Sequence, residues 1–112
     1  MSARINPQVE IVAVDVTAVA KGYRASALLW SNVINDEDNK IGILDDLVVA
    51  GDDRVLFVVI QVGSFLGLGG HLVAIPYQSL VLDDTDDGLR IILPGATRDA
   101  LGKLPEFDYD SL

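Results

Sequence analysis

Gln61-Val62-Gly63-Ser64-Phe65-Leu66-Gly67-Leu68-Gly69-Gly70-His71-Leu72-Val73-Ala74-Ile75-Pro76 joins two runs that both read as strands. The loop between them carries the glycines Gly63, Gly67, Gly69 and Gly70 together with Phe65, Leu66 and Leu68. Glycine admits positive φ and lets a second backbone approach closely. A loop that also holds three large apolar side chains needs an apolar cover. The stretch therefore reads as a shaped joint in a small β-protein and as a candidate contact surface.

The strand entering this joint, residues 54–62, is the strongest in the chain. Val55, Phe57, Val59 and Gln61 fall on one face, and Leu56, Val58, Ile60 and Val62 on the other. A sheet with one face in water alternates apolar and polar residues, whereas this strand is apolar on both sides. One face fills the interior. The other must be covered by the N-terminal segment, the C-terminal helix or another subunit.

Working toward the N-terminus, Gly51-Asp52-Asp53 is a turn, and residues 41–50 form the preceding strand, interrupted by Asp45-Asp46. Residues 35–39 are a polar tip of turn formers. Residues 25–30 suit a single helical turn better than a strand. Val9-Glu10-Ile11-Val12-Ala13-Val14 is β-branched and reads as a strand, and residues 15–22 admit either more strand or a short helix. Toward the C-terminus, Val81-Leu82 and residues 89–93 form a hairpin around Asp83-Asp84-Thr85-Asp86-Asp87-Gly88. Thr97 caps a short helix over residues 98–104, with Asp99 in its first turn, and Pro105 stops it. Five or six short strands spaced by turn signals predict a mainly β fold, a small barrel with one or two short helices. Residues 1–21 form an N-terminal strand or arm, and residues 22–112 the barrel domain with its short C-terminal helix.

At 112 residues, half of them hydrophobic, the chain suits one folded domain. The absence of cysteine excludes disulfides and thiolate catalysis. Eight basic residues against seventeen acidic ones, a net charge of −9, argue against nucleic acid and against an anionic membrane surface. No run approaches the roughly 20 apolar residues of a membrane helix. The N-terminus lacks the basic-then-apolar layout of a signal peptide, so a cytoplasmic location is expected for the chain as given. An export signal preceding it would make the location periplasmic.

Few residue sets suggest chemistry. Gly67-Leu68-Gly69-Gly70-His71-Leu72 starts like a dinucleotide fingerprint, but Leu72 stands where its last glycine belongs and a strand follows where a helix is required. Residues 83–88 open like a calcium loop, but Pro94 replaces the closing glutamate, and a hairpin turn of solvated aspartates is the better reading. His71 is the single histidine, and Ser64 near it has no marked orienting acid. Asp45-Asp46 has the look of a catalytic carboxylate pair, but a bulge, or a carboxylate accepting backbone N–H groups from the glycine loop, explains it with less. Trp30 and Phe65 read equally well as core or as interface anchors.

The sequences Arg24-Ala25-Ser26-Ala27-Leu28-Leu29, Val33-Ile34-Asn35-Asp36, Ile41-Gly42-Ile43-Leu44-Asp45-Asp46-Leu47-Val48-Val49, Val58-Val59-Ile60-Gln61-Val62-Gly63-Ser64-Phe65-Leu66-Gly67-Leu68-Gly69 and Val73-Ala74-Ile75-Pro76-Tyr77 resemble the PRC-barrel family. The tail, Leu93-Pro94-Gly95-Ala96-Thr97-Arg98-Asp99-Ala100-Leu101 and then Leu104-Pro105-Glu106-Phe107-Asp108-Tyr109, is similar to that of short stand-alone bacterial members. Many relatives carry glycine where Trp30 and Ser64 stand here. The resemblance implies a six-stranded barrel that serves as an assembly or interaction module, with no universal catalytic residues.

The expectation is therefore a non-catalytic interaction module without cofactor or metal, self-associating as a homodimer. Its candidate contacts are Trp30, Phe65, Leu66, Leu68, His71 and Tyr77. The alternative is a small-ligand or metal-binding domain that uses Asp45, Asp46 and His71.

Overall fold

A computed structural model describes residues 11–51, 56–63 and 70–112. Two one-turn helices, α1 (Val16–Val19) and α2 (Ala25–Leu28), precede the strands β1 (Asn32–Ile34), β2 (Lys40–Val49), β3 (Leu56–Val62), β4 (His71–Pro76), β5 (Val81–Thr85) and β6 (Gly88–Ile92). A short helix α3 (Arg98–Gly102) follows. The architecture is mainly β, as the sequence predicts, and its six strands lie in one sheet ordered β4-β3-β2-β1-β6-β5. Neighbours pair antiparallel except β1 and β6, which run parallel. Among the described residues no ladder joins β4 to β5. The sheet nevertheless curls around a single core, because Val33, Ile41, Leu44, Val58, Ile60, Val73 and Ile91 meet in one cluster. No helix among the described residues is long and apolar enough to cross a membrane.

The two-faced reading of β3 is correct. Val58, Ile60 and Val62 point into the core cluster, closed by Leu101 from α3. Gly42 makes the close packing of β2 on β3 possible: a Cβ there would meet Ile60 Cγ2 at 2.5 Å and the Gln61 carbonyl oxygen at 2.8 Å. Val59 lies on the opposite face, outside the core cluster, and is still fully buried.

On this side of the sheet the chain that follows α3 runs across from β4 to β2. The Phe107 N–H donates to the Leu72 carbonyl on β4 at 2.7 Å. Two residues on, the Tyr109 hydroxyl donates to the Asp45 carboxylate on β2. Since β3 lies between β4 and β2, this strap crosses β3. The rings of Phe107 and Tyr109 pack edge to face, with centroids 5.2 Å apart.

Asp45-Asp46 marks a bulge, one of the two explanations the sequence allowed. Leu44 opposes Ile60 and Asp46 opposes Val59, so Asp45 is the extra residue on β2. The displaced carboxylate is thereby free to meet Tyr109, while Asp46 Oδ1 accepts from the next N–H, that of Leu47, at 2.8 Å. The glycine loop that might have supplied donors lies outside the described residues.

Two expectations need correction. Residues 11–14 form no strand; the chain there is irregular, α1 follows, and neither buries anything, Ile11 being 99% exposed. β-branched composition alone does not make a strand where no neighbouring ladder receives it. The β5–β6 turn is also tighter than the six residues expected. Thr85 pairs with Gly88, leaving Asp86 and Asp87 as the turn and placing Asp83 and Asp84 within β5. Thr85 Oγ1 donates to the Gly88 carbonyl at 2.7 Å and accepts from Asp87 N–H, closing the loop early.

Candidate functional site

The strap divides the outer surface of the sheet. It is bonded to β4 and to β2, while a groove lies over the seam between β1 and β6. Val33 and Ile91, which pair across this seam, are buried. By strand alternation Asn32, Ile34 and Arg90 face outward. They line a shallow groove of about 410 Å³ together with Trp30, Ser31 and Leu89. Arg90 is held at its margin by ion pairs with Asp38 and, at 4.0 Å, Asp83.

Trp30 stands at the rim with 70% of its surface exposed. It also adopts φ +68°, in the left-handed region. The cause is local. α2 ends at Leu28, yet the Trp30 N–H already donates to the Leu44 carbonyl on β2 at 2.7 Å, and the Ser31 carbonyl accepts from Leu44 N–H at 2.9 Å. The chain must turn from helix to ladder within one residue. A left-handed conformation does this, at a cost of about 1–2 kcal/mol for a residue with a Cβ. Glycine would avoid most of it.

The remaining candidates are dispersed. His71 is half-buried on β4, with Nε2 3.2 Å from the Leu104 carbonyl. It therefore ties the strand to the end of the α3 segment. Tyr77 sits in the one-turn 3-10 helix after β4 (Tyr77–Ser79), half-buried and packed against the core. Gly63 takes φ +88° and starts the glycine loop. Gly70 is exposed at its far end. Ser64, Phe65, Leu66, Gly67, Leu68 and Gly69 lie outside the described residues.

The structure does not bring Asp45, Asp46 and His71 together on one face. Asp46 pairs with Val59 on the outer face, whereas His71 pairs with Val62 on the inner-face register. Asp45 is engaged by Tyr109. Among the described residues no group of three or more His, Asp or Glu side chains converges.

Sequence reasoning missed Tyr109. Among the described residues its hydroxyl is the titratable group with a marked shift, held well above the ordinary tyrosine range. Burial contributes most, followed by the hydrogen bond to Asp45 and the charges of Asp45 and Asp46. The available signal was the pair of aromatic rings Phe107 and Tyr109 beyond Pro105, which pack edge to face as the chain enters a one-turn 3-10 helix at Tyr109–Ser111.

The comparison with curated proteins returned no match. The family model described as the PRC-barrel domain matches residues 20–98, a span from just before α2 to the start of α3 that includes all six strands. With most of its length matched, the chain belongs to the PRC-barrel domain family.

Proposed function

We propose that this chain is a non-catalytic interaction module that associates with a second copy of itself through Trp30 and the groove over the β1–β6 seam. The carrying observation is Trp30. A large aromatic ring is both mostly exposed and held in a backbone conformation that glycine would adopt freely. Strain and exposure each cost stability in the isolated chain, and aromatic anchors are the side chains that recover most on being covered. Phe65, Leu66 and Leu68 join this reading on sequence grounds, as an apolar loop in need of a cover.

The test is the solution mass by light scattering over a range of concentrations, for the parent chain and for Trp30→Gly. The parent should be dimeric. Trp30→Gly should shift toward monomer while its melting temperature holds or rises, because relief of strain adds about 1 kcal/mol. A parent that is monomeric throughout, or a dimer indifferent to Trp30→Gly, would sink the assignment.

A further inference from the structure

We propose that residues 105–111 open as a hinged flap: the strap leaves the sheet as one unit while the barrel stays folded, and the Tyr109–Asp45 bond is its catch.

The base of the strap is pinned. The Leu104 N–H donates to the Leu101 carbonyl at 3.1 Å, and the Leu104 carbonyl lies 3.2 Å from His71 Nε2. The chain is thus tied to α3 and to β4 immediately before Pro105. Proline cannot continue the helix, so the chain must change direction there. Leu104 and Pro105 are both exposed, which leaves the hinge in solvent. Beyond it the tip keeps its own shape. Asp108 takes the Asp110 N–H on its carboxylate at 2.9 Å and the Ser111 N–H on its carbonyl at 3.0 Å, closing the 3-10 turn Tyr109–Ser111 from within. The edge-to-face packing of Phe107 on Tyr109 is likewise internal. None of these contacts is lost when the strap lifts.

The barrel stands without the strap. Among the described residues, the core cluster and the side chains packed against it run from Leu28 to Leu101 and include neither Phe107 nor Tyr109. The match to the PRC-barrel domain ends at residue 98, before the strap begins. The Phe107 N–H on the Leu72 carbonyl and the Tyr109 hydroxyl on Asp45 fasten the strap to the sheet. The first is a neutral bond whose partners find water on release, and its net worth is small. The second sets a half-buried tyrosine against a carboxylate and is the stronger kind. Glu106, Asp108 and Asp110 add charge of the same sign as Asp45 and Asp46 to this part of the molecule, which opposes closure. The hold is therefore local and rests on the catch. Opening frees the Leu72 carbonyl on the terminal strand β4. A free edge accepts an added extended segment, so the strap governs access to that edge.

Native-state hydrogen exchange of the full chain in increasing urea, below the unfolding transition, tests this. The Phe107 amide should exchange about a hundredfold faster than those of Val58 and Ile60, once each is corrected for its intrinsic rate. Its rate should also be nearly flat in urea, because lifting the strap exposes little surface, whereas the β3 amides should accelerate steeply. Tyr109→Phe, which removes only the hydroxyl, should speed Phe107 exchange about tenfold and leave it flat in urea. Phe107 exchanging as slowly as β3, with the same urea slope, overturns the proposal, since the strap then opens only when the barrel unfolds. An unchanged Phe107 rate in Tyr109→Phe overturns it as well, by removing the catch. If Tyr109→Phe lacks a cooperative melt, Asp45→Asn, which keeps an acceptor but not its charge, replaces it with the same sign of effect and the same criteria.

Discussion

Single residues decide the local geometry in ways that composition alone does not announce. Asn35 is the buried polar side chain of the β1–β2 turn, only 4% exposed. Its Oδ1 accepts from the N–H groups of Glu37 and Asn39, both at 3.0 Å, and its Nδ2 donates to the Ala96 carbonyl at 3.0 Å. One amide group thus folds the turn and fastens it to the segment after β6. Asn35→Ala should lower unfolding free energy by about 2–3 kcal/mol in a urea titration, because it strands two N–H groups and a carbonyl together. The residues of the turn were legible as turn formers; the bond to Ala96 was not, since it joins positions 61 apart. Trp30 is a sharper case. Its role as core or interface was open in the sequence, and the clue was a bulky aromatic placed where the chain turns from helix to strand. Only the backbone geometry gave that clue a meaning.

Among the elements, β3 was legible to the level of individual faces because period-two alternation is a short-range property. The element that crosses its outer face was not. The strap carries Glu106, Asp108 and Asp110 and passes from irregular chain into a one-turn 3-10 helix at Tyr109–Ser111, so neither a strand nor a helix period marks it in the sequence. The bulge was legible for the converse reason: two carboxylates inside an apolar strand need an irregularity to reach a partner. The Tyr109–Asp45 bond also gives the strap a pH dependence. The folded chain holds the phenolic proton more tightly than the unfolded chain does. The stability so contributed is complete below pH about 10, where a free phenol is still protonated. It is lost as pH rises above that, because the unfolded chain then gains by ionising. Thermal melts between neutral and strongly alkaline pH should show this loss in the parent. Tyr109→Phe should lose less over the same range, and a parallel decline in both proteins would remove Tyr109 from the explanation.

At the scale of the whole molecule, a net charge of −9 works against any pairing of two copies. Association through the Trp30 groove should therefore tighten as added salt shortens the screening length to about 10 Å near 0.1 M. Light scattering in low and moderate salt should show the dimer fraction rising severalfold. A dimer weakened by salt would instead point to contacts made by opposite charges.

The β1–β6 seam has a kinetic consequence. β1 through β4 form a run of neighbours in sequence, and β5–β6 is a separate hairpin. Their ladder connection is two parallel residue pairs, Val33 with Ile91 and Ile34 with Ile92, reinforced by Leu93 N–H donating to the Ile34 carbonyl at 2.8 Å. Closing a loop of about 60 residues costs on the order of 3–4 kcal/mol in chain entropy before that short seam returns anything. The meander should therefore assemble first and the hairpin dock last. On opening, the order reverses, so amide protons at Ile91 and Leu93 should exchange with solvent sooner than those of Val58 and Ile60. The parallel joint is then the latch of the barrel: the last contact to close in folding and the first to let water in.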